Sequence, residues 1–86
     1  MIEDELRQEI EKWYAKAVEK RKLLRLVDDA QEDFLKNIDA YLLDSRHFLK
    51  QNDLIRSFEA VVWAWSIMEI CLELRVFADE SAKNHG

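Results

Sequence analysis

Apolar residues recur every three or four positions along the chain, in three blocks separated by short polar stretches. This spacing places apolar side chains on one face of a helix, so each block predicts an amphipathic α-helix. We expect the three helices at about residues 3–25, 29–50 and 53–77. The polar tail at 78–86 is expected to be frayed.

Polar capping residues mark the boundaries between these helices. At the first boundary, Asp29 can cap the second helix and Glu32 can close a capping-box pair with it. At the second boundary, Asn52 suits a left-handed residue that ends a helix, and Asp53 suits the N-cap of the next one. Because the connections are short, we expect an antiparallel up-down-up three-helix bundle, and hence an all-α fold.

The composition agrees with this fold. Apolar residues make up 49% of the chain and charged residues 36%, which is typical of a folded protein. There is no proline and one glycine, the last residue, and these two residue types are the main interrupters of helices and supports of tight strand turns. A chain of 86 residues is long enough for one small domain, so we expect a single domain over 1–86.

The third predicted helix carries more apolar residues than one face can hold. Its main stripe repeats at four and three, and consists of Leu54, Phe58, Val61, Trp65, Met68, Leu72 and Val76. At about 100° per residue, a second stripe falls on the opposite side and consists of Trp63, Ile67, Ile70 and Leu74. Since soluble monomers rarely expose such a stripe, we expect it to be an interface for a second copy or another protein, with Trp63 as the anchor.

The second stripe could also be buried without a partner protein. The first two helices could cover it within one chain, whereas a small-molecule groove is less expected. A membrane span is excluded, because each charge near the bilayer centre costs about 2.5–3.5 kcal/mol. The charges within residues 54–77 are Arg56, Glu59, Glu69, Glu73 and Arg75.

The charge balance and the cysteine content narrow the function and the compartment. A net charge of −5 argues against general nucleic-acid binding, which needs a surplus of basic residues. Cys71 is the single cysteine, so there is no intrachain disulfide framework and a reducing compartment is indicated. Its position between Ile70 and Leu72 predicts a packed, inert thiol. The acidic, amphipathic N-terminus resembles neither a signal peptide nor a transit peptide, so we expect a cytoplasmic protein.

The best chemical candidates in the chain are three residues on the second and third helices. Asp44 and His47 are three residues apart and share a side of the second helix, while Glu69 flanks the main stripe of the third. Bundles that bind two metals place an acidic residue three before a histidine, with carboxylates from neighbouring helices. No second histidine lies nearby and no catalytic motif is present, so we expect no bound metal, no other cofactor and no enzyme. Arg46 is expected to face solvent or to bridge to an acid.

The segment 40–77 carries a block that matches a known family pattern, Y-L-x-D-A-R-H-F-L. The matching residues are Tyr41, Leu42, Asp44, Arg46, His47, Phe48 and Leu49, with Ser45 in place of alanine. A turn aspartate follows at Asp53, with Asn52 in place of a glycine. The segment resembles the archaeal family catalogued as domain of unknown function 357. The resemblance implies a three-helix bundle and an archaeal source, and it implies no activity.

The third helix departs from the pattern of that family. Trp63 and Glu69 take its tyrosine and aspartate positions, but Trp65 stands where the family has a histidine. Ser66 and Cys71 replace glycines. If the histidine and aspartate of the family serve a chemical role, this chain lacks the histidine.

A weaker likeness exists to helical domains associated with prokaryotic nucleotidyltransferases and toxin ribonucleases. Those ribonucleases share an arginine followed four to six residues later by a histidine, and neither Arg56 nor Arg75 has one at that spacing. The sequence therefore favours a non-enzymatic interaction module that self-associates through its third helix. The alternatives are a metal- or ligand-binding bundle using Asp44, His47 and Glu69, or an accessory subunit of a neighbouring enzyme.

Overall fold

Three helices and a two-stranded antiparallel sheet make up the protein, in a computed structural model that describes residues 1–28 and 31–79. The elements in chain order are α1 (Ile2–Lys22), β1 (Leu24–Leu26), α2 (Glu32–Lys50), α3 (Leu54–Glu73) and β2 (Phe77–Asp79). Since each strand has only three residues, the all-α prediction is confirmed. None of these helices is both long enough and apolar enough to cross a membrane, within the described ranges.

Contacts between side chains of different helices show that the topology is up-down-up. The pairs that show it are Glu11 with Arg46, Arg21 with Asp39, Trp13 with Trp65, and Lys20 with Glu69. Residue numbers rise on α1 as they fall on α2, so these two helices are antiparallel. Numbers rise together on α1 and α3, so those two are parallel. The most extensive packing is between α2 and α3, and the least is between α1 and α2.

The buried face of α3 follows a regular three-and-four spacing. Its buried residues are Leu54, Ser57, Ala60, Val61, Ala64, Met68 and Cys71. The predicted main stripe is therefore wrong in part. Its residues Phe58, Trp65 and Leu72 are only partly buried and pack against the rim of the core, so the buried face is turned away from them. Small residues account for the difference. Serine and alanine are small, so they let the α2 backbone approach α3 closely. The sequence prediction missed this effect because it was based on the spacing of large apolar side chains.

The helices α1 and α3 both end earlier than the sequence predicted. The expected ends near residues 25 and 77 lie in β1 and β2, which pair in the register Leu24–Asp79, Arg25–Ala78 and Leu26–Phe77. A Schellman motif ends α3. The Val76 N–H donates to the Cys71 carbonyl at 2.8 Å, and the Arg75 N–H donates to the Leu72 carbonyl at 3.1 Å. Arg75 has the left-handed φ of 62° that this motif requires, so the chain turns back.

The two strands close one end of the bundle. Leu24 and Phe77 point into the core cluster and are almost fully buried. Residues 78 and 79, expected in a frayed tail, belong to β2, and the remaining 80–86 lie outside the described residues. The pairing of the strands is favourable because it places Leu24 and Phe77, which are 53 positions apart in sequence, over the same open end of the helix bundle.

The connection between α2 and α3 has the predicted caps. Asn52 has a left-handed φ of 60°, and the Asp53 N–H donates to the Phe48 carbonyl at 2.9 Å. The Asp53 side chain accepts a hydrogen bond from the Arg56 N–H at 3.2 Å. The predicted capping box of α2 includes Asp29, which lies outside the described residues. The helix itself begins at Glu32, three residues after the predicted start.

Candidate functional site

Several large apolar side chains of α3 and its C-cap residue Leu74 face solvent, and three of them lie on one side of the helix. Trp63 is 56% exposed, Ile70 57% and Leu74 69%, and Ile67 at their edge is partly buried against the core. We call these four residues the outer face of α3. They are the second stripe of the sequence analysis, and α1 and α2 leave most of it uncovered. This outcome follows from the fold, because the side chains of α3 that are buried against the other helices lie on a different side of it, and α2 reaches only the edge of the outer face, at Trp63.

The largest side chain of the outer face is held in place by α2. The Trp63 indole stacks on the Tyr41 ring with 6.2 Å between ring centroids and 17° between the ring planes. An aromatic pair of this kind adds about 0.5–1.5 kcal/mol beyond the area that it buries. Because the stack fixes its rotamer, the indole has little conformational entropy to lose when something packs against it.

A groove of about 280 Å³ runs between α2 and α3 beside this stack. Its lining residues are Tyr41, Asp44, Phe48, Arg56, Glu59, Ala60 and Trp63. The carboxylates of Asp44 and Glu59 have no ion-pair partner among the described residues. The Arg56 guanidinium lies 5.8 Å from the Phe48 ring centroid and 3.6 Å from the Asp53 carboxylate. The groove therefore combines aromatic walls with one guanidinium, Arg56, and two carboxylates that form no ion pair within the described ranges.

The three candidate metal ligands do not form one site. Glu69 makes an ion pair with Lys20 at 2.7 Å, and the His47 imidazole lies 3.2 Å from the Gln51 side chain. Asp44 lines the groove described above. Within residues 1–28 and 31–79, no three His, Cys, Asp or Glu side chains are grouped so that they could hold a metal ion.

The contact between α1 and α3 contains an aromatic and cationic cluster that the sequence pattern did not reveal. Trp13 and Trp65 meet edge to face at 5.5 Å, and the Lys20 ammonium lies 4.8 Å from the Trp65 ring centroid. Beside them is an apolar cleft of about 200 Å³, lined by Trp13, Phe58, Val61, Val62 and Trp65. Periodicity placed Trp65 in the core stripe, but only the tertiary structure shows that it packs with Trp13 at the rim of the core.

Arg46 joins α1 to α2. Its guanidinium lies 3.8 Å from the Tyr14 ring centroid and donates to the Glu11 carboxylate at 3.0 Å. The sequence offered a bridge to an acid as one of two roles for Arg46, and the structure confirms that role. The stacked guanidinium covers apolar surface as well as pairing charge, so it stabilises the sparsest of the three helix contacts.

Cys71 lies in the core, as its position among apolar residues predicted. It is 2% exposed, and burial raises the pKa of its thiol because the thiolate would be poorly solvated. A buried thiol that stays protonated is a poor nucleophile and a poor metal ligand. It therefore acts as a small apolar residue.

These features define a small helical bundle with an open apolar face, and comparison with known proteins places it in a family. Residues 4–77 match the model of the family described as "Protein of unknown function (DUF357)", and the chain belongs to this family. The resemblance expected from residues 40–77 is thus confirmed, and it extends through α1.

A solved structure of the same family has a similar fold. The crystal structure of protein AF1782 from Archaeoglobus fulgidus is 43% identical in sequence, with a TM-score of 0.83. The alignment covers 92% of this chain and 99% of the A. fulgidus chain. A search among curated proteins found no match. The archaeal source of this relative agrees with the expected archaeal origin.

Proposed function

We propose that this protein is a non-enzymatic helical interaction module that forms a homodimer through the outer face of α3. The proposal rests on one observation. Trp63, Ile70 and Leu74 are each more than half exposed although they lie side by side on the most apolar helix. Contiguous apolar surface of this kind marks an interaction site in soluble proteins, because leaving it in water is unfavourable by about 25 cal/mol per Å².

The spacing of the outer face favours a second copy as the partner. Its four residues stand at intervals of four, three and four, a pattern that reads the same in both directions. Two antiparallel copies of α3 can therefore bring Trp63 of each copy level with Leu74 of the other, and Ile67 level with Ile70. A two-fold interface requires this self-complementarity, because the same patch must serve both sides.

The interface area of a stable dimer also requires contacts from α2. A stable interface buries about 800 Å² on each partner, which is more than four side chains supply. Phe34 and Tyr41 are seven residues apart on α2, on the same side of that helix, and both are incompletely buried. We expect them to flank the contact and to complete its area. The reducing compartment favoured by the unpaired Cys71 makes the cytoplasm the proposed location.

The first test replaces the anchor of the outer face. Trp63→Glu places a charge within the apolar contact, at the level of the partner's Leu74, so we expect the dimer dissociation constant to rise about 30-fold or more. Sedimentation equilibrium measures this constant, and circular dichroism checks that the helices remain. The matched control is Leu43→Glu. Leu43 is 71% exposed on the side of α2 opposite Tyr41, so its replacement should leave the dissociation constant unchanged.

A wild-type protein that stays monomeric at about 1 mM would contradict homodimer formation, since even weak specific contacts associate at that concentration. Equal loosening by Trp63→Glu and Leu43→Glu would show that the outer face is not the contact. The metal-binding alternative gains no support from the geometry, because Asp44, His47 and Glu69 lie in three different environments.

A further inference from the structure

Arg75 occupies a position where glycine is the usual residue. It is the left-handed residue of the Schellman motif that ends α3, with φ of 62°. For a residue with a Cβ atom this conformation costs about 1–2 kcal/mol. The side chain is exposed and has no hydrogen-bond or ion-pair partner among the described residues. An arginine that is unfavourable for the backbone, and whose guanidinium pairs with none of the residues 1–28 and 31–79, points to a role outside its own chain.

The groove between α2 and α3 has two carboxylates and one guanidinium, Arg56, so its net charge is opposite to that of Arg75, and it lies toward the other end of α3. Asp44 and Glu59 are exposed carboxylates on its two sides with no ion-pair partner in the described part of the chain, and Trp63 and Tyr41 form an aromatic wall. Paired carboxylates and ring faces together favour a guanidinium, which donates hydrogen bonds to carboxylates at its edge and stacks on aromatic rings.

The Arg75 side chain of one chain cannot reach its own groove. Glu59 and Arg75 are 16 residues apart, which corresponds to about 24 Å along the helix axis. An arginine side chain extends only about a quarter of that distance. A guanidinium from a second copy has no such restriction.

We propose that Arg75 of each copy enters the α2–α3 groove of the other copy and lies between Asp44 and Glu59. This inference rests on the homodimer proposed above. When the outer faces pair with Trp63 level with Leu74, Arg75 of one copy is level with Val62 of the other. It then stands about one helical turn, or about 4.5 Å along the axis, from Glu59. Two-fold symmetry makes the contact twice, once at each end of the apolar strip.

Charge exchange tests the pairing. We expect Arg75→Glu to raise the dimer dissociation constant at least about tenfold, because each dimer loses two ion pairs and gains two like-charge contacts. Glu59→Arg should weaken the dimer similarly. The double variant with both changes should recover most of the wild-type affinity, since the charges are exchanged and not removed. The matched control Lys12→Glu makes the same charge change on an exposed position of α1 and should have little effect.

A glycine variant separates the backbone from the guanidinium. Arg75→Gly removes the charge and relieves the left-handed strain, so the isolated chain should be at least as stable as wild type while the dimer is weaker. The stability of the isolated chain is measured in the Trp63→Glu background, where the dimer is absent. This variant also replaces Arg75→Glu as the affinity test if the latter does not fold.

The outcomes distinguish this pairing from the dimer itself. If Trp63→Glu dissociates the dimer while Arg75→Glu, Arg75→Gly and Glu59→Arg leave its affinity unchanged, the arginine pairing is wrong and the apolar contact stands. If both single charge variants weaken the dimer and the double variant does not restore it, the pairing of these two residues is also wrong. A monomeric wild-type protein overturns both proposals.

Discussion

A reciprocal pair of buried serines holds α2 against α3. The Ser45 hydroxyl donates to the Ser57 carbonyl at 2.9 Å, and the Ser57 hydroxyl donates to the Ser45 carbonyl at 2.8 Å. Both residues are fully buried. Because each hydroxyl is satisfied, the pair adds polar atoms to the core without an unpaired donor. Their small size also allows α2 and α3 to approach closely. The buried side of α3 is therefore the side with these small residues, and not the side that its large apolar residues predict.

Removal of either hydroxyl tests this role at the level of one residue. We expect Ser45→Ala and Ser57→Ala each to lower the free energy of unfolding by about 0.5–1.5 kcal/mol, the usual contribution of one hydrogen bond. Ser57→Leu should cost more, about 1–3 kcal/mol beyond the lost bond, because the close approach leaves no room for extra methylenes. Urea denaturation measures both effects.

The control for the serine variants is Ser66→Ala, since Ser66 is a partly buried serine of α3 without a hydrogen-bond partner among the described side chains. It should change stability by less than about 0.5 kcal/mol. A similar loss in all three alanine variants would mean that the hydrogen bonds do not hold the helices together.

At the scale of secondary-structure elements, the structure differs from the sequence prediction mainly at the C-terminal ends of α1 and α3. The short strands β1 and β2 replace the last turns that periodicity predicted for α1 and α3. The Val27 N–H also donates to the Val76 carbonyl at 3.1 Å, which extends the pairing by one position. The strands carry Leu24 and Phe77 over the end of the bundle, so a sheet too small to be stable alone completes the core.

Truncation of the buried strand residue tests the contribution of the sheet. Phe77 is 2% exposed, so Phe77→Ala should lower the free energy of unfolding by about 3–5 kcal/mol, through lost apolar burial and the cavity that remains. Val27→Ala changes an exposed apolar residue beside the same sheet and should cost less than about 0.5 kcal/mol. Guanidinium denaturation followed by tryptophan fluorescence measures the difference. Equal effects of the two variants would show that β2 does not close the core.

At the scale of the whole molecule, α3 is the central helix and one side of it is left open. It packs extensively on α2 and also on α1, while α1 and α2 meet least. The molecule is correspondingly thin, measuring 45 × 27 × 16 Å. The shortest dimension fits two layers of helices and not three, because packed helix axes lie about 8–10 Å apart, so no third layer of the described residues covers α3. The open side of this central helix is the structural basis of the proposed homodimer.

The proposed dimer predicts that the thermal stability of the protein depends on its concentration. A tenfold rise in protein concentration adds about 1.4 kcal/mol per dimer, which corresponds to a rise in Tm of about 3–5 °C. Calorimetry at two concentrations measures the shift, and Trp63→Glu should abolish it. A Tm that is the same at both concentrations for the wild-type protein would contradict association of the folded chains.

Local signals in the sequence were sufficient for the helices, the α2–α3 connection and the family. The spacing of apolar residues and the absence of proline are read directly from the sequence, and they favour helices through interactions between near neighbours. Asn52 and Asp53 cap the adjacent helices through hydrogen bonds that span only a few residues. These features are local because helix formation and capping satisfy backbone groups within one or two turns. The four residues of the outer face were also identified from spacing alone.

The tertiary structure decided the rest. Which side of α3 is buried depends on how closely α2 approaches, and that approach depends on Ser45 and Ser57, whose contact joins residues of two helices. Whether residues 24–26 and 77–79 form helix or strand depends on their pairing across 53 positions of sequence. Glu69 lies beside Lys20 and not beside His47 for the same reason. Each outcome is set by packing between distant segments, and a one-dimensional pattern of apolar and polar residues contains no information on that packing.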